Sequence, residues 1–275
     1  MSHQALETAA RIIDAVREQK PLVDCITNFV TVNDCANILL AFGASPAMCD
    51  AFDESFNFAR ISSALYINTG TYIKEHENAA IVAVLAAKQA GVPVVIDPVG
   101  CGALPKQVTA LNFLTGIAGA DIIKGNMGEI MALAGREVAV KGVDALGDDP
   151  EESEIEDAAK QVALRYACVV AATGKADVIT DGERVLRVYN GSEMLTKITG
   201  AGCMAGALCG ATAAAAKHIG ADRVSAALAG ILAMGIAGER AALQANLPGS
   251  YRVALMDSIY TLTGADVLKQ GRLRC

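Results

Sequence analysis

Three times in this 275-residue chain an apolar run ends on a polar residue and enters a glycine-bearing turn at once. Residues 92–97 run into Asp97-Pro98-Val99-Gly100-Cys101-Gly102-Ala103, and residues 121–124 into Lys124-Gly125-Asn126-Met127-Gly128-Glu129. Residues 168–172 close on Ala171-Ala172-Thr173-Gly174. Strands without polar alternation are buried on both faces, the mark of a parallel sheet wrapped by helices. The segments between them have helical periodicity, so the chain is expected to be α/β, with a largely parallel central sheet and helices on both faces. In such sheets ligands bind outside the carboxyl ends of the strands, where these three turns fall.

The surrounding pattern fills in the elements. Residues 5–18 place Leu6, Ala9, Ile13 and Val16 on one helical face, and residues 33–42 form a second helix closed by Gly43. Residues 64–68 read as a strand and 78–90 as a helix ended by Gly91. Residues 111–118, 128–134 and 157–166 complete the helices of the middle third. Residues 178–180 and 185–189 flank Asp181-Gly182, a type I′ hairpin signal, after which the chain reads as almost wholly helical to Leu268. The acidic run from Asp148 to Asp157 reads as a solvated loop leading into a helix. With no internal repeat and no Pro- or Ser-rich linker, residues 1–275 are expected to form a single domain.

Composition excludes several function classes. Thirty acidic against 23 basic residues give a net charge of −7, which argues against a nucleic-acid surface. Residues 198–216 carry no charge and are long enough to span a bilayer, but they are mostly Gly, Ala and Thr, without interfacial Trp or Tyr. With the shorter run 224–238 they read as two buried helices, and the stripe Gly202, Gly206, Gly210 as a close-packing surface, so no membrane is expected. The eight cysteines show no C-x-x-C pair and no neighbouring zinc-spaced His, and they read as reduced thiols of a cytoplasmic protein. His3, His76 and His218 share no segment with the motifs and read as surface residues.

Chemistry concentrates at the strand ends and at Thr199-Gly200-Ala201-Gly202-Cys203, which opens an Ala-rich helix. Free N–H groups at a helix start bind anions, and a phosphoryl group in transfer needs preorganised donors of that kind. Cys203 falls in the first turn, where the helix dipole favours a thiolate. Asp97 is placed to hold Mg²⁺ directly or through water, or else to cap its own turn. Asn126 and Glu129 have capping-box spacing; the functional alternative puts Glu129 near magnesium and Lys124 on nucleotide phosphates. Asn28, with Ile26 and Thr27, and the turn Gly43-Ala44-Ser45-Pro46-Ala47-Met48 put polar groups and a polarizable Met beside an apolar helix.

Together these segments resemble the hydroxyethylthiazole kinases, ribokinase-like enzymes of thiamine synthesis and salvage. The resemblance runs from about Pro21 to Leu268 and takes in the late Ala237-Gly238-Glu239 and Pro248-Gly249-Ser250. It implies a ribokinase-like fold and ATP-dependent phosphorylation of a thiazole alcohol. It also implies Cys203 at the catalytic position, Met48, Gly200 and Asn28 as substrate contacts, Lys124, Thr173 and Gly202 at the nucleotide, and Glu129 and Asp97 about Mg²⁺. A homotrimer with active sites at subunit boundaries is implied as well. Lys124 stands where the family commonly has Arg, Asp24 where it has His or Gln, and Leu104-Pro105-Lys106 where it has an Arg-containing run. Three alternatives stand beside this reading: a nucleotide-dependent NAD(P)H-hydrate dehydratase on the same fold, a hydroxymethylpyrimidine-type kinase, and a catalytically silent nucleotide-binding protein.

Overall fold

The computed structural model describes residues 2–136, 140–141, 144–145 and 152–275. Its strands are β1 (Leu22–Ile26), β2 (Ser45–Ala47), β3 (Ala64–Asn68), β4 (Val94–Asp97), β5 (Ile122–Asn126), β6 (Val140–Lys141), β7 (Asp144–Ala145), β8 (Val169–Thr173), β9 (Asp177–Thr180), β10 (Val185–Val188) and β11 (Leu273–Arg274). The helices are α1 (Ser2–Gln19), α2 (Val32–Phe42), α3 (Phe52–Ile61), α4 (Lys74–Ala90), α5 (Pro105–Ala118), α6 (Met127–Leu133), α7 (Glu152–Tyr166), α8 (Ala201–His218), α9 (Arg223–Gln244), α10 (Pro248–Thr261) and α11 (Gly264–Gln270). Nine strands form one sheet in the order β11-β10-β9-β8-β5-β4-β3-β1-β2, and β6 pairs with β7 apart from it. The block from β2 to β8 is parallel, and β9, β10 and β11 add antiparallel ladders at one edge.

Burial on both faces follows from the sequence of each central strand. Val95, Ile122 and Val169 point to one side, where α1, α2, α8, α9 and α10 pack. Ile96, Ile123 and Val170 point to the other, against α4, α5 and α7. The Gly202, Gly206, Gly210 stripe faces the sheet: a Cβ on Gly206 would lie 2.7 Å from the Tyr66 ring and hydroxyl, and one on Gly210 3.1 Å from Val23. Small residues there let α8 lie directly on β1 and β3. Among the described residues one helix, α9, is long and apolar enough to cross a membrane, and most of it is buried against its neighbours.

Several expectations change. The Asp-Gly hairpin is not a two-residue turn: Thr180 pairs with Val185, leaving four residues in the connection. Asp181 Oδ1 accepts from the backbone N–H groups of Glu183 and Arg184 and so closes the longer loop itself. His76 is buried rather than on the surface, with Nε2 3.4 Å from Asp50 Oδ2. Of the acidic run, residues 148–151 lie outside the described residues, and the remainder belongs to α7. There Glu156 accepts from Lys160 at 2.7 Å and pairs with Arg187 of β10, so it ties helix to sheet. All eight cysteines are free, and six of them are buried.

Candidate active site

Parallel register aligns the polar strand ends. Asn68 of β3 pairs with Asp97 of β4, and Asn126 of β5 with Thr173 of β8. Over this row stands the start of α8. Gly200 is its N-cap with φ +83°, a conformation that L side chains rarely adopt, and a Cβ there would fall 2.8 Å from Thr31 Cγ2. The first intrahelical bond runs from Met204 N–H to the Gly200 carbonyl (2.8 Å), so the amides of Ala201, Gly202 and Cys203 precede it and have no acceptor in their own helix. Gly202 is exposed and Ala201 half-buried, so the turn opens to solvent while Cys203 sits inside.

Cys203 Sγ accepts from the side-chain amides of Asn68 (3.2 Å) and Asn28 (3.5 Å). Asn28 is held in turn by its Oδ1, which accepts from the N–H groups of Val30 and Thr31. Asp97 Oδ2 takes the Lys124 ammonium at 3.1 Å and lies 3.1 Å from the Tyr66 hydroxyl. That hydroxyl is also 3.1 Å from the Cys203 carbonyl, so its single proton is donated to the Asp97 carboxylate or to that carbonyl. Lys124 reaches the start of α8: a Cβ on Gly202 would be 3.2 Å from Nζ.

Glu129 realises the cap that its spacing predicts. Asn126 Oδ1 accepts from Glu129 N–H while Glu129 Oε2 accepts from Asn126 N–H, both at 2.8 Å. Its Oε1 takes the Gly100 N–H at 2.8 Å, so the same carboxylate ties the β4 turn to the β5 turn. Cap and site coincide in this residue.

Electrostatics follow from burial. Burial, and then the nearby Asp97, push Glu129 up to about 7, against the pull of Lys124 and the two backbone amides. Burial raises Asp97 also, with Lys124 and Tyr66 opposing. Burial works against the Lys124 ammonium, yet Asp97 and Glu129 hold its proton affinity above the ordinary range. The expected thiolate at Cys203 needs correction. Its place in the first turn is as foreseen, but burial and the Asp97 charge push the thiol up by more than Thr31, Lys124 and Asn28 bring it down.

Of the residues singled out in sequence, Asn28, Asp97, Lys124, Glu129, Gly200, Gly202 and Cys203 converge on this constellation. Thr173 closes its far side, half-buried, its hydroxyl donating to the Gly125 carbonyl at 3.3 Å. Met48 is half-buried after β2 and packs on the α8 side of the core, outside the hydrogen-bonded network. Asp24 points elsewhere, accepting the Cys49 N–H at 3.1 Å, and Lys106 donates to the Tyr72 carbonyl at 3.3 Å. Tyr66 and Asn68 are the residues that sequence reading missed. The signal available was a polar residue at the end of an apolar strand, the same cue that marks Asp97.

A doubly covered parallel sheet with an open helix start above acidic and basic strand ends defines a ribokinase-like protein. Fold likeness extends to the pyridoxal kinase from Staphylococcus aureus in complex with AMP-PCP and pyridoxal, at a TM-score of 0.59 and 15% identity over 80% of this chain and 88% of that one. The chain belongs to the hydroxyethylthiazole kinase family, which it matches over residues 13–265. It is 53% identical over 262 residues to hydroxyethylthiazole kinase 2 of Clostridium botulinum (strain Loch Maree / Type A3), covering 95% of this chain and 97% of that protein. It is 49% identical to the hydroxyethylthiazole kinase of Clostridium kluyveri, over 99% of both. The solved hydroxyethylthiazole kinase protein from Pyrococcus horikoshii OT3 superposes at a TM-score of 0.87 with 35% identity, over 97% of this chain and 98% of that one.

Proposed function

We propose that this chain transfers the γ-phosphate of ATP to the primary hydroxyl of 4-methyl-5-(2-hydroxyethyl)thiazole, in thiamine biosynthesis and salvage. The observation that carries this is the placing of Cys203 Sγ, Asp97 and Lys124 around an open helix start. The acceptor hydroxyl attacks in line, and the N–H groups of Ala201, Gly202 and Cys203 hold the charge of the migrating phosphoryl group. Cys203 faces the acceptor oxygen, and its thiolate form, scarce because burial and Asp97 hold the proton on sulfur, takes the hydroxyl proton. Lys124 and Thr173 serve the nucleotide, with Gly202 giving it room, and Asn28, Met48 and Gly200 border the thiazole.

The residues present fit a magnesium ion. Asp97 Oδ1 is buried without a hydrogen-bond partner, and Glu129 lies close enough to feel its charge. Magnesium takes few carboxylates and keeps several waters, so these two carboxyl groups suffice. Asp97 and Glu129 would hold it directly or through water, and bound there it would offset charge on the nucleotide phosphates.

The whole chain serves as one kinase domain, cytoplasmic and assembled as a homotrimer with active sites at its subunit boundaries. Eight free thiols support a reducing compartment. A groove between α2 and α10, lined by Asp34, Leu40, Arg252, Val253 and Tyr260, supports the assembly. Leu40, Val253 and Tyr260 are exposed, and Asp34 lies beside Gly200, so the groove borders the site.

Replacing Cys203 by Ala tests the reading. With the thiazole alcohol and ATP, kcat is expected to fall by about 10²-fold or more while KM stays nearly unchanged. An unaltered kcat rejects the role of the sulfur. Parallel assays with a pyrimidine alcohol and with hydrated NAD(P)H test the substrate, and faster turnover of either rejects the thiazole.

A further inference from the structure

Asn68 occupies the middle of the site without touching its open side. It is 1% exposed, and every polar atom of its side chain is engaged. Its Nδ2 lies 2.9 Å from the Tyr66 hydroxyl, 3.2 Å from Cys203 Sγ and 3.4 Å from Asp97 Oδ2. Its Oδ1 accepts from Asn28 Nδ2 and from Gly70 N–H, each at 2.9 Å. One amide thus joins β3 to the β1 turn, to β4 and to α8.

We infer that Asn68 is the positioning residue of this kinase, fixing the direction of the Cys203 sulfur beside the Asp97 carboxylate. This rests on the reading that Cys203 faces the acceptor oxygen. A thiol on a single χ1 rotor has no fixed direction of its own, and two amide donors, from Asn68 and Asn28, set one. The Asn28 amide is oriented by Asn68 Oδ1 on one side and by the Val30 and Thr31 N–H groups on the other, so Asn68 supplies one donor directly and helps to set the second. A near-attack geometry is sensitive to errors of about 1 Å, and one rotor released at the proton acceptor is an error of that size. Asn68 also provides what a carboxylate could not at that spot. It donates toward Asp97 and Cys203 while accepting from Asn28 and Gly70, where an acidic side chain would set acceptor against acceptor.

A double-mutant cycle tests the inference in the full-length enzyme, using Asn68→Ser and Cys203→Ala, singly and together. Asn68→Ser keeps a small polar group in the pocket, and Asn68→Asp, which keeps the shape and loses the donors, is the companion variant. In the Cys203 background each is expected to lower kcat by about tenfold or more, with KM for both substrates within about twofold. In the Cys203→Ala background Asn68→Ser is expected to alter kcat by less than about threefold, because there is no sulfur left to aim. Equal losses in both backgrounds overturn the inference, as does a loss confined to KM. Failure of both variants to fold overturns it too, since Asn68 is then part of the framework. An unchanged kcat in Cys203→Ala alone overturns the role of the sulfur, and this inference with it. A lowered kcat there with an additive double variant overturns the inference only.

Discussion

Asp97 has one oxygen engaged and one free. Its Oδ2 is committed to Lys124 and Tyr66, and its Oδ1 is buried with no partner. Buried polar atoms are nearly always satisfied, and this exception, beside Lys124 and the start of α8, supports the cation proposed there. Asp24, whose Oδ2 is likewise buried without a partner, lies outside the site. It is fully buried, one strand beyond β3, and burial, helped by Asp50, pushes its carboxyl up to about 7 against the hydrogen bond from the Cys49 N–H. The folded chain therefore holds this proton more tightly than the unfolded chain does. The stabilisation is present below the ordinary carboxylate range and is lost as pH rises from about 4 toward 7. Thermal unfolding of Asp24→Asn beside the unaltered protein checks this: the Tm difference is expected to move in favour of the Asn variant across that window and to level off above it. A flat difference contradicts the assignment.

The elements differ in how plainly the sequence announces them. α8 was readable from its uncharged Ala-rich run, and its glycine stripe from the spacing alone. What the stripe lies against was not, because that depends on the sheet order. Gly206→Ala would drive a methyl group into the Tyr66 ring, in a part of the core with little room to give. Such overpacking is expected to cost about 1–3 kcal/mol in denaturant unfolding and to lower kcat as the Tyr66 hydroxyl leaves Asp97. Unfolding at the original midpoint with full activity contradicts that packing. β1 went unread because Asp24 interrupts its apolar run, and a charged residue at the centre of a buried strand is rare enough to hide one. α3 was missed because its amphipathic face is short and only Ser55 and Ala59 are buried. β11 depends on pairing with β10 across 85 residues of chain, from Val188 to its partner Leu273, which no local pattern encodes.

At the scale of the molecule, the order of motifs along the chain already placed the site, because parallel strands with right-handed crossovers bring successive carboxyl ends to one edge. Seven of the residues singled out in sequence meet there. Asn68 and Tyr66 escaped notice since their importance lies in contacts between strands and α8, not in composition. The groove between α2 and α10 belongs to this scale as well. Light scattering on the purified chain is expected to give three chain masses, and Val253→Asp, at the exposed wall of that groove, to lower that value and the activity together. A single chain mass with full activity contradicts the trimer. The most direct test of the whole account is a crystal structure with the thiazole alcohol and a non-hydrolysable ATP analogue. The γ-phosphate is expected against the amides of Ala201, Gly202 and Cys203, with the alcohol oxygen in hydrogen-bond reach of Cys203 Sγ. A nucleotide seated away from the start of α8, or an alcohol turned from the sulfur, would contradict it.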